Sequence, residues 1–112
     1  MSTLESIHSI EELNTFVDDQ GLSIVFVSRP GCSVCHGLLP QVENLLELYP
    51  QIEARQVNAD EIPQIAGRFS VMTVPAVLIY SKGKELFRKA RFVPIGELNQ
   101  QLAKLNHFIN ES

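Results

Sequence analysis

Residues 22–40 read Leu-Ser-Ile-Val-Phe-Val-Ser-Arg-Pro-Gly-Cys-Ser-Val-Cys-His-Gly-Leu-Leu-Pro and hold both cysteines of the chain. Leu22 to Ser28 is apolar and β-branched without the alternation of a half-exposed strand, which predicts a central strand covered on both faces. From Ser33 to Tyr49 the apolar residues Leu38, Leu39, Val42, Leu45, Leu46 and Tyr49 recur at helical spacing. Cys32 and Cys35 therefore stand at the entrance of a helix that follows directly on a buried strand. Pro40 is expected to kink that helix.

Upstream, Ser9-Ile10-Glu11-Glu12 fits a capping box, and Leu13, Phe16 and Val17 form the apolar face of a first helix that Gly21 ends. Downstream, Ile52 to Asn58 reads as a second strand, Glu61 to Phe69 as a short helix, and Ala76 to Tyr80 as a third strand. Ser81-Lys82-Gly83-Lys84 has turn chemistry and leads into a fourth strand, so the last two strands are expected to form an antiparallel hairpin. After Pro94, the spacing Leu98, Leu102, Leu105, Ile109 gives a closing amphipathic helix. The predicted order is helix, strand, helix, strand, helix, strand, strand, helix. Alternating strands and helices imply a mainly parallel sheet between helices, made mixed by the final hairpin: an α/β fold with four to five strands.

With 112 residues the chain has the size of one domain, residues 1–112, and room for one core. Hydrophobic residues at 45% and charged residues at 20% fit a folded globular chain and argue against disorder. A net charge of -4 gives no reason to expect a nucleic acid as partner. Glu5, Glu11, Glu12, Asp18 and Asp19 leave the first twenty residues without the basic start or apolar run of a signal peptide. The longest apolar run, Ala76 to Tyr80, is too short to cross a bilayer. A cytoplasmic location with no membrane contact is expected. A reducing compartment disfavours a structural disulfide, so a close cysteine pair there is metal-binding or redox-active.

At a helix N-terminus the unpaired N–H groups and the positive end of the dipole favour an anion, here the Cys32 thiolate. The thiolate is the attacking species, and lowering its pKa from about 8.5 toward about 7 makes Cys32 a nucleophile at neutral pH. Cys35, a helical turn further in, is expected to be less exposed and to resolve the mixed disulfide that Cys32 forms. Gly31, Ser33, Val34 and His36 surround the pair and are expected to tune it, His36 by adding some positive charge near neutrality. Three other readings stand beside this one. Two buried cysteines can act as small hydrophobes. Cys32-Ser33-Val34-Cys35-His36 satisfies the literal pattern of covalent haem attachment, although that chemistry goes with export. A zinc site would need further ligands, and His8 and His107 lie near the termini without a suitable spacing. No cofactor and no metal is expected.

Taken with Pro40, the Asn58-x-Asp60 step, Thr73-Val74-Pro75 and Lys82-Gly83, the cysteine pair resembles the thioredoxin family over nearly the whole chain. The resemblance implies a cis peptide before Pro75, close to the redox pair, and a substrate-binding role for Thr73, Val74 and Pro75. It also implies protein or small-molecule disulfides as substrates, with a disulfide reductase or low-molecular-weight thiol as electron donor. Several positions depart from the family. Gly31 stands where a tryptophan is usual, Phe26 where a buried aspartate is usual, and Gln56 where that aspartate's lysine partner is usual. Both members of a charge pair have gone together, which avoids a stranded ion. Arg91 stands where the family has a glycine beside the substrate groove, and a long cation there narrows docking or selects acidic partners.

Lys82, Lys84, Arg88, Lys89 and Arg91 place five of the nine Lys and Arg residues within ten positions, as an edge strand that discourages pairing or as a surface for acidic proteins. Together these readings give a monomeric thiol–disulfide oxidoreductase that reduces protein disulfides in the cytosol, with Cys32 attacking and Cys35 resolving. The alternative is a non-catalytic module of the same fold that binds partners or senses redox state.

Overall fold

A computed structural model describes residues 4–19 and 21–111. The strand predicted at its centre is β2 (Ser23–Ser28), flanked in chain order by β1 (Glu5–Ile7) and α1 (Ile10–Asp19) before it and by α2 (Ser33–Leu46) after it. Then come β3 (Glu53–Asn58), α3 (Ile65–Phe69), β4 (Ala76–Ser81), β5 (Lys84–Ala90) and α4 (Ile95–Glu111). The sheet runs β1-β3-β2-β4-β5. β1 and β2 pair parallel with β3, whereas β4 pairs antiparallel with β2 and with β5.

Why β2 reads as an unbroken apolar run is now plain. Ile24 and Phe26 point into a core shared with Leu38, Val42, Leu98 and Leu102 of α2 and α4. Val25 and Val27 point into a second core with Leu13, Phe16, Ile65 and Phe69 of α1 and α3. β4 divides in the same way, Val77 and Ile79 to the first core and Leu78 and Tyr80 to the second. With a side-chain period of two and both faces covered, neither strand has an interior position left for a solvent-facing polar residue, and each ends on a half-buried serine, Ser28 or Ser81.

Several details differ from the sequence reading. The chain opens with a strand, β1, which is too short to carry a periodic signal and buries only Ile7 of its three residues. α2 stops at Leu46 because the chain tightens into i to i−3 bonds, from the Glu47, Leu48 and Tyr49 amides to the Asn44, Leu45 and Leu46 carbonyls. α3 begins at Ile65 rather than at Glu61, since Pro63 disfavours helical backbone at Ile62 and offers no N–H of its own. Ser9 caps α1 as expected, its Oγ accepting from the Glu12 amide at 3.1 Å, but the Glu12 carboxylate reaches back to the His8 amide rather than to that of Ser9. α2 runs on through Pro40 as one element. The Ile109 side chain lies outside the described residues.

The β4–β5 turn is built on backbone that glycine favours, with Lys82 at φ 50° and Gly83 at φ 82°. Positive φ at both central residues matches the right-handed twist of a two-residue hairpin. The Gly83 amide donates outside the hairpin to the Val17 carbonyl at 2.8 Å, which ties the turn to the end of α1.

Candidate functional site

β2 delivers the chain to the C-terminal edge of the sheet, and the loop that follows is fastened on both sides before α2 begins. The Cys32 amide donates to the Arg29 carbonyl at 3.1 Å, which closes a turn over Pro30 and Gly31. On one flank, Arg29 Nε meets Asp60 Oδ1 at 3.2 Å, and the Asp60 amide is itself held by Asn58 Oδ1 at 2.8 Å. On the other, the His36 ring bonds through Nε2 to the Pro30 carbonyl at 2.8 Å. A carbonyl only accepts, so Nε2 carries the proton. His36 thus fastens the loop; the sequence reading had given it only a charge.

Cys32 is the N-cap of α2, with extended backbone, and its Sγ accepts from the Cys35 amide at 3.1 Å. Cys32 and Cys35 are joined as a disulfide. Their surroundings differ sharply. Cys32 is half-buried, whereas Cys35 is 1% exposed and belongs to the first core beside Phe26, Leu38 and Val42. When the bond opens, a helix N-terminal amide already points at the outer sulfur, the geometry that stabilises a thiolate. The inner sulfur has apolar neighbours.

The Val74–Pro75 peptide is cis, as the resemblance implied. Val74 is half-buried and packs against the core that holds Cys35; Thr73, half-buried beside it, begins this segment. Arg91 is joined to the segment through its backbone, its amide donating to the Pro75 carbonyl at 2.7 Å. Arg91 and Phe92 then line one wall of a groove of about 350 Å³ whose opposite wall is Val34 and Gly37 at the start of α2. Structure therefore brings Cys32, Val34, Cys35, Val74, Pro75 and Arg91 to one end of the molecule. Ser33 and Gly31 are exposed, and nothing lies within 4 Å of where a Cβ on Gly31 would stand, so the place of the family's tryptophan is open.

Phe26 and Gln56 stand opposite each other in the β2–β3 register. Phe26 is buried in the same core as Cys35, and Gln56 donates to the Leu4 carbonyl at 2.7 Å. The missing charge pair has left an apolar ring and an amide occupied elsewhere. Among the described residues no cluster of three or more His, Cys, Asp or Glu side chains is arranged to hold a metal.

Two features escaped the sequence reading. Val34, Met72 and Phe92 are 62%, 76% and 73% exposed, large apolar side chains in the segments that carry the cysteines, Val74 and Arg91. Isolated exposed apolar residues leave no periodic trace, and only their adjacency to motif residues could have marked them. The second feature is Arg88 of β5, which donates to the Phe69 and Ser70 carbonyls at 2.6 and 2.9 Å and pairs with Glu85 at 2.7 Å. It thereby anchors the start of the loop that leads to Val74. Bonded to Arg88, the Glu85 carboxyl is held below its ordinary pKa. The Tyr80 phenol, which donates to Glu85 at 3.1 Å, is pushed up by burial and by the Glu85 charge.

A family model described as Thioredoxin matches residues 6–108. Over 105 residues the chain is 40% identical to "Thioredoxin-like protein YdfQ" of Bacillus subtilis, covering 94% of each. It is 30% identical over 76 residues to "Thioredoxin 1" of a Nostoc species, covering 67% of this chain and 71% of that one. In shape it is similar to a crystal structure of thioredoxin from Trypanosoma brucei brucei, with a TM-score of 0.86 at 20% identity over 94% of this chain and 92% of the other. That last likeness is one of fold.

Proposed function

Since the chain belongs to the thioredoxin family and carries a disulfide-forming Cys32–Cys35 pair, we propose that it is a thiol–disulfide oxidoreductase that reduces protein disulfides in the cytosol. The observation that carries this reading is the asymmetry of the pair: an outer sulfur at a helix N-cap and an inner sulfur at 1% exposure.

The reduced protein attacks as the Cys32 thiolate, kept available by the Cys35 amide and the α2 N-terminus. Cys32 Sγ forms a bond to one substrate sulfur as the substrate S–S bond breaks, and the other substrate sulfur leaves as a thiolate and takes up a proton. Cys35 then loses its proton and attacks Cys32 Sγ, which closes the internal disulfide and releases the second substrate thiol. Two electrons pass from the protein to the substrate. A disulfide reductase or low-molecular-weight thiol returns them. Val74 and Pro75, with Thr73 before them, form the wall against which an extended substrate lies.

Proton removal from Cys35 is the step for which this chain lacks the family's usual means, because Phe26 can neither accept a proton nor hold water beside the inner sulfur. This favours slow resolution, and in the extreme a non-catalytic module of the same fold. Turnover of insulin or of a dithiodipyridine with a regenerating thiol tests the reading. Multiple turnovers dependent on both cysteines are expected. A reduced protein that forms the mixed disulfide once and stops would leave only the binding or sensing role.

A further inference from the structure

Resting on the redox reading above, we propose that Arg91 makes the groove beside the cysteine pair selective for disulfides set in acidic polypeptide segments. Of the side chains that line this groove, Arg91 alone is charged. Its guanidinium has no partner among the described residues, unlike the other arginines. Arg29 pairs with Asp60, Arg55 with Glu53 and Arg88 with Glu85, while Arg68 lies over the Phe69 ring. Glu97, an acid in the first turn of α4, is engaged by Lys89 at 3.3 Å.

The backbone makes the choice of residue pointed. Arg91 has φ 71°, a left-handed conformation that glycine adopts freely and that a side chain with a Cβ resists. The conformation is held by the 2.7 Å bond from its amide to the Pro75 carbonyl, so the strain is built into the substrate wall itself. An arginine kept at such a position, unpaired and exposed, presents a planar five-donor fork to whatever lies in the groove. The first turns of α2 and α4 also line it, at Val34 and Ile95, and add the positive ends of two helices. Exposed Val34 and Phe92 supply apolar contact on either side. A segment with an apolar residue beside its cysteine and a carboxylate next along the chain complements all three elements, whereas a lysine in that place meets a like charge.

Two peptides capped at their cysteine as mixed disulfides with a neutral thiol, and differing only in flanking aspartates or lysines, provide the test. Stopped-flow rates of attack by the reduced protein are expected to favour the acidic peptide by about three- to tenfold at low salt, as for a partly exposed charge-assisted pair. The preference should shrink toward unity near 1 M salt, where the screening length is about 3 Å. Arg91→Gly should flatten the ratio, and Arg91→Glu should invert it. A ratio unchanged in Arg91→Glu, or a parent ratio of one, overturns the selectivity while leaving the redox reading intact, provided that a neutral dithiodipyridine is still reduced. Failure of the parent to react with that neutral disulfide overturns both.

Discussion

Phe26 is buried in the first core and Arg91 stands exposed at the groove, and each has a measurable consequence. Replacing Phe26 and Gln56 together with Asp and Lys restores a charge pair across the β2–β3 register. Resolution of a mixed disulfide between Cys32 and a small aromatic thiol should then accelerate by about tenfold or more above neutral pH, the lower range for positioned acid–base groups. The single change Phe26→Asp is expected to do less, because an unpaired buried carboxyl is driven to its neutral form. Equal rates in the parent and a folded double variant would show that proton removal from Cys35 never limits the step. For Arg91 the prediction concerns stability. Arg91→Gly removes the cost of a side chain at φ 71° and should stabilise the fold by about 1 kcal/mol in urea titrations, so that the native arginine is held at a loss. In the reduced protein, Cys32 should be alkylated first, with a pKa below the free-thiol value of about 8.5, and preferential modification of Cys35 would reverse the assigned roles. At this scale the cysteine pair and the cis bond before Pro75 were legible because motif and resemblance name positions. Phe92, Met72 and the reach of Arg88 to Ser70 were not, because a contact across 18 residues between a strand and a helix end has no sequence signature.

Among the elements, β5 does more than close the sheet, since Arg88 grips the carbonyl end of α3 while Glu85 and Tyr80 hold Arg88 in place. Glu85→Gln should loosen that grip and lower both thermal stability and the rate of attack on protein disulfides. The sign of its pH dependence follows from the lowered Glu85 pKa. Ionised Glu85 contributes in full above its unfolded value of 4.5, and the contribution fades as the pH falls through the lower folded value. The gap in stability between parent and variant should therefore be widest near neutrality and close in acid; a gap that stays constant down to pH 3 would mean that the Arg88–Glu85 pair is not its source. Most elements were readable from periodicity and turn chemistry. β1 and the start of α3 were not, because one is three residues long and the other is set by Pro63 acting on its neighbour.

For the molecule as a whole, one sheet divides two cores, and its interior strands are sealed by both. Amides of Ile24 to Val27 and of Val77 to Ile79 should exchange with solvent only through global unfolding, while those of β1 should exchange through local opening. Hydrogen exchange measured against denaturant checks this, and protection in β1 equal to that in β2 would contradict it. The mixed sheet and its order of helices followed from the alternation of patterns along the chain. Which helix covers which face did not, because a side-chain period reports that a face is buried and not what buries it.

Pro40 lies inside α2, one turn past Cys35, and has no amide to give the His36 carbonyl. The ladder of the helix is therefore interrupted between the turn that carries the chemistry and the longer stretch that packs on the sheet. Opening or closing the disulfide can relax residues 33–39 without levering the remainder of α2 against its core, as a slot cut in a beam confines bending to the free end. On the redox function proposed above, a chain that cycles between its dithiol and disulfide states is in this way spared repacking its interior. Differences in amide exchange between the oxidised and reduced protein should accordingly fade beyond Pro40, and changes that continue through Val42 to Leu46 would show the joint to be rigid.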